Sequence, residues 1–249
     1  MLHRPLHSVG AHEVHIWHLL ADEVTSEAAL KSAEALLTMD EQVRMNCLHR
    51  ARDRLLYLLS RGLMRSVLAS YLDCPGRDVR FASDAHGKPI MQPGSHAKRL
   101  HFNLTHSRGA VALAVSGGRE VGIDVEEHHR PVDYLALAER FFAPAEHRHL
   151  RGLPGDQLPA AFFAIWTLKE AFVKGIGRGI SFPLDAFCFD LDANRLLGFR
   201  PLADFVSRDW HFQQFELGAR HCGALAVQNP NGATVHVEMR DWRDAFVGS

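Results

Sequence analysis

This sequence predicts an α+β fold made of two similar subdomains related by a pseudo-twofold duplication, with an active site in the cleft between them. Three observations support that expectation. The stretch 50–71 places Leu55, Leu58, Leu59, Leu63, Val67 and Leu68 at helical spacing, the mark of a core-facing stripe. Short apolar runs such as 110–116 end in glycine and read as strands. The tetrapeptide ALAV occurs at 112–115, within RGAVALAV, and again at 224–227, within RHCGALAV. In each half a helix leads into a strand upstream of that repeat: 50–71 into 79–82, and 161–174 into 187–190. Alanine, leucine and valine are common in strands, so coincidence is the competing explanation. A duplicated unit would create an inter-repeat cleft, a favoured place for ligands. The expected division is 1–118 and 119–249, the second part carrying metal-binding carboxylates.

The elements follow in order. Residues 14–20 form a first strand, and 26–37 and 50–71 are helices. Pro75-Gly76 breaks the chain, 79–82 is a short strand, and Gly87-Lys88-Pro89 is a turn. Gly117-Gly118 suits a tight hairpin turn, so 120–126 is expected to return as the partner of 110–116. Helix resumes from Pro131. Pro144, Pro154 and Pro159 punctuate a looped stretch before the helix that holds 166–174.

Composition narrows the function classes. With 249 residues and 47% hydrophobic content, the chain can bury one large core or two small ones. Lysine plus arginine number 28 against 29 acidic residues, a balance that argues against a dedicated nucleic-acid binder but allows a local basic pocket. Cys47, Cys74, Cys188 and Cys222 form no CxxC pair, and no apolar run reaches the length of a membrane span. A reduced, soluble, cytoplasmic protein is expected.

Three segments hold the chemistry: FNLTHS at 102–107, VGIDVE at 121–126 and WTLKEAFVK at 166–174. Together they offer His106, three carboxylates and two lysines, Lys169 and Lys174, a set suited to holding a divalent metal against phosphate. Strand alternation turns Val121, Ile123 and Val125 one way, and Gly122, Asp124 and Glu126 the other. The two carboxylates then stand about 7 Å apart by strand rise, beside a glycine that leaves space. Hard cations such as Mg²⁺ take oxygen ligands of this kind together with substrate phosphates; a solvent-facing acidic strand end is the plainer alternative. Trp166, Glu170 and Lys174 share one helix face, either as a surface ion pair or as a carboxylate and an ammonium converging on metal and phosphate. Gly175, Gly177 and Gly179 can end the helix and let backbone approach a ligand. His106 is expected in a turn between Thr105 and Ser107, placed for phosphate contact or acid/base work. The absence of a GxSxG elbow excludes the usual α/β-hydrolase arrangement.

These segments, in this order, resemble those of the Sfp-type 4′-phosphopantetheinyl transferases: an FNxSHS-like segment, a (V/I)GIDxE strand and a WxxKEAxxKxxGxG helix. Here the last reads WTLKEAFVKGIGRG, and the likeness reaches upstream to His86-Gly87-Lys88-Pro89 and the arginine-rich helix around Arg52 and Arg61. It covers about 40–230.

The resemblance implies a Mg²⁺-dependent enzyme, monomeric, that moves 4′-phosphopantetheine from coenzyme A to a serine of an apo acyl or peptidyl carrier protein, releasing adenosine 3′,5′-bisphosphate. It assigns Asp124, Glu126 and Glu170 to the metal and Lys174 to the breaking phosphate bond. His106, with Thr105, goes to a coenzyme A phosphate, and Lys88 to the adenosine 3′-phosphate end. Glu170 is alternatively the base for the serine proton. Thr105 replaces the family's usual serine and keeps a hydroxyl. Glu41 stands near a position often basic in the family, which leaves Arg44, with Arg50, Arg52 or Arg54, for the 3′-phosphate. Two rival functions share these residues: another Mg²⁺-dependent phosphoesterase acting on coenzyme A, and a non-catalytic carrier-binding homologue.

Overall fold

In the computed structural model, which describes residues 7–84, 86–92, 100–128 and 130–243, the chain divides into two units, Met1–Arg119 with Thr234–Ser249, and Glu120–Ala233. The first runs β1 (Glu13–Leu20), α1 (Glu27–Leu36), α2 (Met39–Asn46), α3 (Ala51–Leu72), β2 (Phe81–Ser83), β3 (Pro89–Met91), β4 (Leu100–Ser107) and β5 (Ala110–Gly117). The second runs β6 (Val121–Glu127), α4 (Tyr134–Phe141), α5 (Pro144–Arg151), α6 (Leu158–Ile176), β7 (Phe187–Asp192), β8 (Arg195–Pro201), β9 (Trp210–Leu217) and β10 (His221–Gln228). The last strand, β11 (His236–Asp241), pairs with β1 in the first unit.

The class is α+β, and the duplication is visible in the topology. The first unit contains the order β1-β5-β4, and the second β6-β10-β9. In both, a long helix and then a two-stranded hairpin, β2-β3 or β7-β8, separate the first strand from the last two in sequence. The two ALAV segments lie in β5 and β10, each between two antiparallel neighbours. Such strands are buried over nearly their whole length, which is why they read as continuous runs of small apolar residues rather than alternating ones.

The periodic stripe of α3 does what its spacing predicts. Leu59, Leu63, Val67 and Leu68, joined by Met64, are buried against Trp17 and Leu19 of β1 and Val111, Leu113 and Val115 of β5. Ser26 caps α1 by accepting from the Ala29 N–H, and Thr38 and Glu41 form a reciprocal capping box on α2. Among the described residues, no helix is long and apolar enough to cross a membrane.

Several sequence expectations change. Strands β5 and β6 do not pair as a hairpin: β5 pairs with β1 and β4, and β6 with β10. Gly118, at φ 90°, does turn the chain, but the turn passes from one unit to the next. The hairpin partner of β5 is β4, joined through Arg108 and Gly109, both at positive φ. His106 therefore sits on a strand, exposed, and not in a turn. The short strand expected at 79–82 is Phe81–Ser83, because Val79 closes a 3₁₀ turn and is buried beneath α3. The final strand, counted in the second part of the sequence, runs parallel to β1 in the first unit.

Glu41, acidic where a phosphate-binding cation was sought, has a structural partner. Arg65, whose side chain is 4% exposed, donates from Nε to Glu41 Oε2 at 2.7 Å and from Nη1 to the carbonyls of Gly76 and Val79. Burial alone would raise the Glu41 carboxyl, but the bonds from Arg65 and the Thr38 N–H outweigh it and hold it below the usual range. Its contribution is therefore complete above the ordinary carboxylate pKa and is lost as pH falls through the lowered folded value. Glu41→Gln is expected to cost about 1.5–3 kcal/mol at neutral pH in urea unfolding, with a smaller difference in acid.

Candidate active site

The site begins with a close approach of backbones. A Cβ on Gly122 would lie 2.0 Å from the Ala171 carbonyl oxygen and 2.2 Å from the Gly175 nitrogen. The space left by this glycine is filled by α6, not by a ligand. Alternation along β6 then turns Asp124 and Glu126 toward the same helix. Gly175 has its own constraint, since a Cβ there would meet the Trp210 ring at 2.7 Å. Gly177, at φ 67°, supplies the left-handed residue that ends α6.

On α6, Glu170 and Lys174 are one turn apart. Lys174 Nζ donates to Asp124 Oδ1 at 2.6 Å, linking helix to strand. Asp124 is buried, whereas the Lys174 side chain is 30% exposed, so the ammonium remains within reach of an incoming ligand. Burial, and after it the charge on Asp124, pushes the Glu170 carboxyl up to about 7; Lys174 opposes this and Glu126 adds a smaller upward push. Arg130 Nη1 donates to both oxygens of Glu126, at 3.2 and 3.3 Å.

Asp124, Glu126 and Glu170 offer an oxygen-rich set of carboxyl groups, chemically suited to a hard divalent cation. They are not drawn together as ligands: among the described residues, no three His, Cys, Asp or Glu side chains form a group able to hold a metal ion. Lys174 and Arg130 supply the positive charge beside them.

Comparison with known proteins decides the family. Residues 120–227 match the family described as the 4'-phosphopantetheinyl transferase superfamily, and residues 24–117 match the description 4'-phosphopantetheinyl transferase, N-terminal. The 4'-phosphopantetheinyl transferase HetI of Nostoc sp. is 38% identical over 169 residues, covering 68% of this chain and 70% of the relative. The chain belongs to the 4′-phosphopantetheinyl transferase family. The transferase Sfp of Bacillus subtilis is 28% identical over 172 residues, 69% of this chain and 74% of that one. The transferase psf-1 of Bacillus pumilus is 39% identical over 130 residues, where the match spans about half of each chain (52% and 53%). The two family matches meet at the boundary between the units.

Of the transferase residues expected from sequence, Asp124, Glu126, Glu170 and Lys174 lie together in the second unit. The others lie in the first. His106 is exposed on β4 next to buried Thr105, and Lys88 follows β2, its backbone N–H donating to Asp84 Oδ1 at 2.9 Å. Arg44 is exposed in the last turn of α2; Arg52, exposed in the first turn of α3, lies 3.8 Å from Asp53. Arg54 is occupied with the carbonyls of Leu48 and His49.

One member of the expected kit has a different role. Lys169 is fully buried, out of reach of a phosphate. Its Nζ donates to Glu146 Oε2 at 2.8 Å and to the Leu184 and Phe187 carbonyls at 2.7 and 2.8 Å, and lies 4.3 Å from the Phe187 ring centroid. Glu146 completes the network by accepting from the Ala143 and Phe189 N–H groups. Sequence reasoning singles out neither Glu146 nor Arg130. Their partners are set by tertiary folding, and no spacing rule reveals them.

Proposed function

We infer that this protein transfers the 4′-phosphopantetheine group of coenzyme A to a serine hydroxyl of an apo acyl or peptidyl carrier protein, releasing adenosine 3′,5′-bisphosphate. The observation that supports this is the packing of α6 on β6, which bonds Lys174 to Asp124 and brings Glu170 under the charges of Asp124 and Glu126, in a chain of this family. The serine oxygen forms a bond to the phosphorus bearing the pantetheine, and the bond from that phosphorus to the adenosine phosphate oxygen breaks. Such a transfer needs positioning and charge neutralisation more than covalent help from the protein.

Asp124, Glu126 and Glu170 would hold Mg²⁺, which supplies charge neutralisation to the pyrophosphate when bound. Lys174, partly exposed beside Asp124, offers its ammonium to the phosphate oxygen that gains charge. Glu170 is either the third ligand or the acceptor of the serine proton. Lys88, Thr105, His106, Arg44 and Arg52 would bind the adenosine and phosphate end of coenzyme A. The duplicated topology supports action as a monomer, and four free cysteines support a reducing, cytoplasmic setting.

The test is incubation with Mg²⁺, coenzyme A and a panel of apo acyl and peptidyl carrier proteins, read by intact mass. A phosphopantetheine adduct is expected, abolished by a chelator and restored by Mg²⁺. No adduct on any carrier would overturn the function. Hydrolysis of coenzyme A without a carrier would favour the phosphoesterase, and carrier binding without an adduct the non-catalytic homologue. Lys174→Ala and Glu170→Gln are each expected to lower kcat about 10²–10³-fold with melting temperatures near wild type. In Glu170→Gln, a rise in the Mg²⁺ concentration needed for half-maximal activity marks a ligand, while a loss in kcat at an unchanged Mg²⁺ requirement marks the base.

A further inference from the structure

Past the end of β6 the chain turns back toward its own strand. The Arg130 N–H donates to the Glu127 carbonyl at 3.3 Å, and the Tyr134 hydroxyl, at the start of α4, donates to the Arg130 carbonyl at 2.8 Å. The turn brings the Arg130 side chain beside Glu126, four residues earlier. Its guanidinium also lies over the Phe163 ring of α6, 5.9 Å from the centroid. Phe163 is fully buried and meets the Tyr134 ring edge-on. An arginine stacked on a fixed ring, with its own N–H and carbonyl both bonded, loses little freedom in holding a carboxylate. It is a fixed part of the site: the Arg130 side chain is 32% exposed and that of Glu126 12%.

How it meets Glu126 decides what that carboxylate can still do. One nitrogen, Nη1, donates to both carboxylate oxygens, at 3.2 and 3.3 Å. These bonds are longer than the about 2.7–2.9 Å of a charge-assisted bond aimed at one oxygen, because the donor is shared. A donor shared so evenly stands across the mouth of the carboxylate, where a cation chelated by both oxygens would sit. A carboxylate has about four lone-pair sites; Arg130 takes the inner two and leaves an outward one on each oxygen. Glu126 can then ligate through one oxygen but cannot chelate. That difference separates the hard divalent cations. Mg²⁺ demands near-octahedral geometry, keeps several waters and takes few carboxylate oxygens. Ca²⁺ takes about 6–8 oxygens, and bidentate carboxylates help to supply them. Lys174 places no such limit on Asp124, since it bonds Oδ1 and not the pair of oxygens.

We propose that Arg130 is a specificity-determining residue for the metal: it keeps Glu126 monodentate and so favours Mg²⁺ over Ca²⁺. The inference rests on the transferase function and on Asp124, Glu126 and Glu170 as the ligands. It also accounts for a cation placed against a metal ligand. The guanidinium repels every divalent ion alike, but it closes the chelating position only to the ion that uses it.

The experiment loads the full chain with Mn²⁺, follows free Mn²⁺ by electron paramagnetic resonance, and displaces the bound ion with Mg²⁺ or Ca²⁺ in separate titrations. Wild type is compared with Arg130→Met, which keeps a stem over Phe163 but no donor, and with Arg130→Ala. Wild type should prefer Mg²⁺, and in both variants the ratio of Ca²⁺ to Mg²⁺ affinity should rise about fivefold or more. Loss of a charge alone would strengthen both ions together, and a loosened fold would weaken both; neither moves the ratio. As a second readout, the Ca²⁺ concentration that half-inhibits carrier modification at fixed Mg²⁺ should fall in the variants. Circular dichroism and urea midpoints should show both variants folded. An unchanged ratio in a folded variant, a wild-type preference for Ca²⁺, or no Mn²⁺ binding by wild type would overturn the role of Arg130. A shifted ratio in a protein that modifies no carrier would instead sink the transferase function and leave the selectivity standing.

Discussion

Gly122→Ala is expected to destabilise the second unit by more than about 4 kcal/mol, a size reserved for a few mechanisms, and to abolish activity in whatever protein folds. The added methyl would sit 2.0 Å from the Ala171 carbonyl oxygen and 2.2 Å from the Gly175 nitrogen. Both are main-chain atoms within α6, so no rotamer change relieves the contact. Either β6 or α6 must move as a body. Separation would pull Lys174 from Asp124 and carry Glu170 away with it. Overpacking usually costs about 1–3 kcal/mol because side chains can adjust; here the flexible part is missing. Gly155→Ala is the control, since nothing lies within 4 Å of its added methyl, and it should stay within about 0.5 kcal/mol of wild type. A denaturant midpoint for Gly122→Ala matching that control would refute the backbone contact.

That contact also explains how far sequence can reach. The GID segment is legible as chemistry because alternation fixes which side chains share a face, and WTLKEAFVK because four-residue spacing fixes one side of a helix. Both signals are local. The reason for the glycine is not local: it lies in a helix about fifty residues downstream, and the sequence suggests only vacant space. The same limit misdirects the strand pairing. Gly117-Gly118 has the residues of a hairpin turn, and local turn chemistry cannot tell a hairpin from a crossing into a second unit. The partner of β1 on its outer edge, β11, lies over two hundred residues away and runs parallel, with no turn to announce it. The polar residues around His106 suggest a turn, yet its strand is fixed by pairing along all of β5. Duplication is the long-range feature that sequence does carry, because a repeated strand keeps its neighbours and so its small apolar residues.

Lys169→Met is expected to cost about 3–5 kcal/mol, because it leaves the Glu146 carboxylate buried without its cation. Glu146→Gln should cost a similar amount by stranding the ammonium. Burial pushes Glu146 up and Lys169 down, while each charge holds the other ionised against that trend. The pair is bonded on both sides: Lys169 to the carbonyls of Leu184 and Phe187, Glu146 to the N–H groups of Ala143 and Phe189. It therefore fastens α6 to the start of α5 and to β7, in the turn of helix that also carries Glu170. The double variant Glu146→Gln/Lys169→Met should be more stable than the sum of the singles predicts, with a coupling of about 1–3 kcal/mol in a denaturant cycle. It should not return to wild type, since the four backbone partners lose a charged group and gain nothing equivalent. Additive single and double variants would mean that the two side chains are stabilised separately and that the ion pair is incidental. A strong coupling would give the lysine of WTLKEAFVK a mechanical role. It fixes the rotation of the helix, and Glu170, the next residue, faces the carboxylates because Lys169 faces away from them.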